Sequence, residues 1–178
     1  MGSRLWVWVA AVLLCWGSAG WAAEPTDGPD DRELATVVVG QDRPDDLERK
    51  LGASACLLPS MSGERVSYLY NVQGSDGHYF LRFEVDGRVD AITVSKDPPI
   101  AGVCYAPVRR VLPVKTGKGL YLGATKEAVL QLYGRPAESF AVGPLERFRY
   151  VSVLDHLHEW DLVFRDGRLV EWTVVTEE

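Results

Sequence analysis

Histidine and cysteine are scarce in this sequence, at three residues each among 178. It contains no Gly-x-Ser-x-Gly and no His-Glu-x-x-His, and no histidine sits beside a marked serine or cysteine. Nucleophilic and zinc-peptidase chemistry therefore have no local support. Positive charge is also short: 19 Lys and Arg stand against 25 Asp and Glu, for a formal charge of −6. A general nucleic-acid binder needs a concentrated basic surface, and this balance argues against one. Long apolar runs are confined to the N-terminus, which excludes a polytopic membrane protein. With 47% hydrophobic and 25% charged residues, the composition is that of a folded globular chain, neither disordered nor collagen-like.

What is present begins with a leader. Arg4 precedes an apolar run from Leu5 to Trp16, small residues follow, and Gly20-Trp21-Ala22 places small side chains at positions −3 and −1 of a cleavage site. This three-part order predicts a signal peptide over residues 1–22. The alternative is an uncleaved anchor, because Leu5 to Ala23 is uncharged and just long enough to span a bilayer. Lipidation at Cys15 is excluded by Leu14, where a small residue is needed. Cleavage removes one charge, leaving −7, and leaves Cys56 and Cys104 as the remaining cysteines. In an oxidising compartment two such cysteines are expected to pair. The loop they close would contribute about 4 kcal/mol in a chain-entropy picture. Two reduced buried thiols are the alternative. A catalytic thiol lacks a nearby base.

Residues 23–35 are acidic and rich in Pro and Gly, and read as a flexible N-terminus. Beyond them the chain repeats itself. The segment from Asp45 aligns without gaps on the segment from Glu127, so that Leu47 falls on Val129, Gly52 on Gly134 and Tyr68 on Tyr150. Further on, FEVDGRVDAITV from Phe83 matches VFRDGRLVEWTV from Val163. Each copy reads as a helix closed by glycine, an aromatic strand and a hairpin with Asp-Gly at its tip. Pro44 suits the first turn of one helix, and Thr125 is a good N-cap for the other.

If both turns have two residues, Tyr79, Leu81, Phe83, Val85, Ile92 and Val94 share one face of the first hairpin. His78, Arg82, Glu84 and Thr93 then look to solvent. The second hairpin puts Trp160, Leu162, Phe164 and Leu169 on one face and Val163, Val170, Trp172 and Val174 on the other. Such a sheet needs cover on both sides. The fold predicted is α+β: two tandem repeats, at 36–96 and 119–178, each a short helix on an antiparallel sheet of about three or four strands. Residues 97–118, rich in Pro and Gly but too apolar for a loose linker, form an ordered connection between them.

The phrase LGATKEAVLQLYGRPAES, followed by an aromatic strand and FRDGRLVEWTV, resembles the BamE-like (SmpA/OmlA) domain. The resemblance is good over residues 119–175 and weak over 36–95. The doubled arrangement is similar to the secreted β-lactamase inhibitory proteins, in which two such units form one continuous sheet surface. The resemblance implies a scaffold or inhibitor of the cell envelope or secreted space, without catalytic residues. The lipidation cysteine of the outer-membrane members is missing here.

Other chemistry is weaker. His156 and His158 would project to one face of a strand, with Asp155 or Glu159 as further ligands for zinc or copper; a polar hairpin loop is the plainer reading. VKTGKGL has Leu112 and Gly119 where a phosphate loop needs Gly and Ser or Thr. Arg109, Arg110, Lys115 and Lys118 form a small basic cluster that could meet anionic headgroups or peptidoglycan, or simply be solvated. No cofactor is implied. The function expected is a non-enzymatic, periplasmic or secreted binding or scaffold module acting on another protein in cell-envelope assembly, or alternatively a secreted inhibitor of an extracellular enzyme. It would touch membrane only through an uncleaved leader. Candidate contact residues are Tyr68, Tyr70, Phe80, Tyr150 and Trp172, aromatics that either anchor an interface or fill the core.

Overall fold

A computed structural model describes residues 31–52, 55–60, 65–74, 77–153 and 157–177. The expected leader, the start of the expected flexible segment and His156 lie outside them. In chain order the elements are β1 (Glu33–Leu34), β2 (Val37–Val38), α1 (Pro44–Leu51), β3 (Cys56–Pro59), β4 (Val66–Gly74), β5 (Gly77–Asp86) and β6 (Arg88–Ser95). They continue with β7 (Ala106–Val111), α2 (Lys126–Tyr133), β8 (Glu138–Val142), β9 (Leu145–Val153), β10 (Leu157–Arg165) and β11 (Arg168–Glu177).

The expectation of two helix-on-sheet α+β repeats is overturned. The chain is predominantly β, and nine of its strands form one sheet in the order β3-β4-β5-β6-β11-β10-β9-β8, with β7 added to β4. All pairs in it are antiparallel except β4–β7. The physical reason lies at β6 and β11. Each would be an open edge if its hairpin closed on itself; paired from Ala91–Val175 to Ser95–Glu171, both edges vanish. The two eight-residue helices are too short to stand alone and serve as part of a cover over this sheet.

That cover lies on one face only. Leu47 and Leu51 of α1, Val129 and Tyr133 of α2, and Leu112, Leu120 and Leu122 from the connections join one core with the inward residues of β4, β5, β6, β9, β10 and β11. Leu34 and Ala35 belong to the same core, so the segment expected to be flexible is packed by the time it reaches β1. Thr125 caps α2, its Oγ1 accepting from the Ala128 N–H at 3.2 Å. Asp46 of α1 accepts from the Arg43 N–H at 3.0 Å, and this bond holds its carboxyl below the usual range.

The second hairpin has the expected two-residue turn, whereas in the first only Gly87 separates the paired Asp86 and Arg88. Asp166 and Gly167 both have positive φ, 52° and 71°, and make a tight two-residue turn. Pairing then slips by one residue between Phe164–Leu169 and Val163–Glu171, leaving Val170 without a partner strand residue. This bulge returns Trp172 and Val174 to the face of Trp160, Leu162 and Phe164, so the sheet is not apolar on both sides as expected. The first hairpin carries a matching bulge at Asp90.

The Cys56–Cys104 disulfide is formed. It ties β3 to the end of a strap, residues 96–105, that leaves β6 and crosses the uncovered sheet face to reach β7. Tyr105 packs edge-on against Phe80 with ring centroids 5.0 Å apart, and its hydroxyl accepts from the Ile100 N–H at 3.1 Å. The Cys56–Cys104 disulfide is consistent with an oxidising, extracytoplasmic environment.

Candidate functional site

Strand alternation decides what the uncovered face presents. Across the middle of the sheet, from β4 to β8, one row reads Leu69, Arg82, Thr93, Thr173, Asp161, Arg149, Glu138. Thr93 and Thr173 pair directly, their hydroxyl oxygens 3.0 Å apart. With Ala91 and Val175 beside them, these short side chains form the floor of a trough of about 510 Å³. Its walls are charged. Arg82 and Glu84 form an ion pair on one side, and Ser67 donates to Glu84 at 2.9 Å. On the other side Arg147 meets Asp161 at 2.5 Å and Arg149 meets Glu138 at 3.4 Å. Pro99 of the strap closes one end.

Glu171 rises from the same floor, between Ser95 and Val163. Burial pushes its carboxyl above the usual value; Arg147 and Arg82 pull it back, while Asp161 adds to the rise. The folded protein therefore holds a proton there at a pH where the unfolded chain has lost it. Stability drawn from this group is lost as pH rises through the raised value. Glu171→Gln should unfold at a higher temperature than the parent near neutral pH. The gap should close as pH falls below the ordinary glutamate value of 4.5, where both states are protonated. Melting temperatures of both proteins between pH 4 and pH 8 check this, and a constant gap would show that the charge is not the cause.

The aromatics singled out from the sequence are mostly elsewhere. Tyr70, Tyr150 and Trp172 are buried on the covered face and cannot be contact residues. Burial pushes the Tyr150 hydroxyl up to about 12, and it donates to the Gly134 carbonyl at 3.0 Å. Tyr68 is half-buried against the core. Phe80 alone reaches the uncovered face, where Tyr105 already packs on it. His158 is buried on the covered face, in the row between Ser152 and Thr176. Among the described residues, no group of three or more His, Cys, Asp or Glu is placed to hold a metal ion. The basic cluster is exposed but spread out: Arg109 and Arg110 sit on β7, while Lys118 lies over the Tyr133 ring at 5.8 Å.

The trough residues were not visible as a site in the sequence, where Arg82, Glu84 and Thr93 read as an ordinary solvated strand face. The available signal was that the same polar alternation recurs in β10 and β11; only the β6–β11 pairing brings the two stretches together. No known protein family, no curated protein and no solved structure matches this chain.

Proposed function

We propose that this protein is a non-enzymatic extracytoplasmic binding module whose recognition surface is the uncovered face of its sheet. The observation that carries the reading is the trough itself. A rigid, strand-built floor of small side chains, bounded by arginines and carboxylates, suits a protruding loop of another protein. The disulfide and the leader over residues 1–22 support export, to the periplasm or beyond. The BamE-like resemblance of residues 119–175 supports a scaffold role in the cell envelope. A secreted inhibitor is the second reading, favoured by the concave floor of the trough, which fits one projecting segment better than a broad flat contact.

Capture tests this with the exported protein and its Thr173→Trp variant, which fills the floor of the trough. The expected result is an envelope or secreted protein retained by the parent and lost with the variant, while both unfold at similar temperatures. Identical retention by the two proteins would overturn the assignment of the surface. Whether the retained protein is a membrane-assembly component or a soluble enzyme separates scaffold from inhibitor.

A further inference from the structure

The two edges of the nine-stranded sheet are built differently. At one edge, β3 covers β4 from Val66 to Leu69, and β7 covers it from Tyr70 to Gln73. These outer strands carry Pro59, Pro107, Arg109 and Arg110, and the Cys56–Cys104 bond pins β3 in place. Proline, charge and tethering are the devices that keep a sheet edge from recruiting another strand. At the other edge, β8 has neither proline nor a tether, and its one charge is Glu138. Its sequence, ESFAV, holds no Pro, Lys or Arg, and it pairs with β9 without a bulge. All five residues are exposed, including Phe140 at 40% and Val142 at 55%. Among the described residues no strand lies beyond it.

We propose that β8 pairs antiparallel with β8 of a second copy of this chain, about a two-fold axis at Phe140, joining two sheets into one. The alternation supports this occupant. Glu138, Phe140 and Val142 stand on the uncovered face, opposite Arg149, Arg147 and Leu145 of β9, and Ser139 and Ala141 stand on the other. A two-fold axis at the middle residue sets Phe140 against its own copy, Glu138 against Val142, and Ser139 against Ala141. Aromatic residues meet at the centre, small ones meet behind, and no like charges face each other. The strand's single charge, Glu138, is already matched by Arg149 within its own chain. Arg147, next to Phe140, is likewise held by Asp161, so the pairing buries no unmatched cation.

Sedimentation equilibrium of the parent and three surface variants, over about a thousandfold range of concentration, tests the proposal. A monomer–dimer equilibrium is expected for the parent. Phe140→Lys sets two cations against each other, and Val142→Glu sets a carboxylate against Glu138. Each should weaken the dimer at least about tenfold. Val142→Lys sets an opposite charge against Glu138 and should leave the dimer within about threefold of the parent. Unchanged melting of the monomers shows that the fold is intact. A parent that stays monomeric throughout, as it would if β8 served only a foreign strand, overturns the proposal. So does a dimer indifferent to Phe140→Lys, or one weakened equally by Val142→Lys and Val142→Glu.

Discussion

Replacing Trp160 by alanine should cost about 3–5 kcal/mol, a large fraction of the roughly 5–15 kcal/mol that holds a domain of this kind together. Trp160 is fully buried, and it sits on β10 between Tyr150 of β9 and Val174 of β11. Its ring stacks on Trp172 at 6.2 Å with planes 22° apart, and it lies 6.2 Å from the ring of Tyr133 on α2. Removing the indole therefore opens a cavity where the sheet meets its cover, and the strands around it are too constrained by pairing to collapse into the space. The midpoint of thermal unfolding should fall by about 10 °C or more for a chain of this length. Trp160→Phe should cost less than half as much, because among the described residues the indole N–H has no hydrogen-bond partner and a ring still fills most of the volume. Denaturant unfolding of the three proteins checks both figures. A loss below about 1 kcal/mol for the alanine variant would mean that the two layers do not depend on this contact.

That core also shows which parts of the fold were legible. The hairpins at 77–95 and 157–177 announce themselves through Asp-Gly between alternating apolar residues. Helix α2 does so through Thr125, its apolar spacing and Gly134. These are local signals, set by φ preferences and side-chain reach within a few residues. What stayed hidden is non-local. Nothing in the composition of β6 or β11 says that they pair with each other rather than end two separate sheets. The bulge at Val170 has no distinctive residue, yet it moves Trp172 and Val174 from one face to the other. Strand β7 is masked by Pro107 in a Pro-rich stretch, although Ala106 and Val108 are buried in turn.

The β1–β2 turn is hidden for another reason. Ala35 and Thr36 adopt positive φ of 48° and 73° in place of the glycine or asparagine such a turn normally uses. Leu34, Ala35 and Val37 are buried around it, and Lys50 donates to the Thr36 carbonyl at 2.8 Å, so tertiary contacts impose what local preference resists. The trough was illegible because its members are polar residues at solvent-facing positions. They become a surface only when two distant hairpins lie side by side and a strap closes one end. Three of the five aromatics suggested as contacts went the other way, into the core, because burial of a large ring outweighs the convenience of leaving it outside.

Asp31 should prove nearly as important as Trp160, although it comes from a stretch whose composition suggests no structure. The residue is 4% exposed. Oδ1 accepts from the Gly117 N–H at 2.7 Å; Oδ2 accepts from the Lys118 N–H and the Tyr133 hydroxyl, both at 2.9 Å. Thr116 extends the network, meeting the Tyr133 hydroxyl at 3.0 Å and accepting from the Leu120 N–H at 3.1 Å. The turn at Gly117 comes so close that a Cβ there would lie 2.9 Å from Oδ1, which is why glycine occupies it. Asp31→Ala strands two backbone donors in a buried place and leaves the Tyr133 hydroxyl with Thr116 alone, at a cost of about 3 kcal/mol or more. Asp31→Asn keeps the shape but supplies one acceptor oxygen instead of two and aims an amide donor at other donors, so it should recover less than half of the loss. Tyr133→Phe removes the hydroxyl's bonds to both Asp31 and Thr116 and should cost about 1–2 kcal/mol. In the Asp31→Ala background the same change should cost less, because the hydroxyl has already lost one of its two partners. Urea unfolding of the four variants measures that coupling. If the two single losses simply add, Asp31 and Tyr133 act independently and the clasp that joins the first described residue to α2 does not exist.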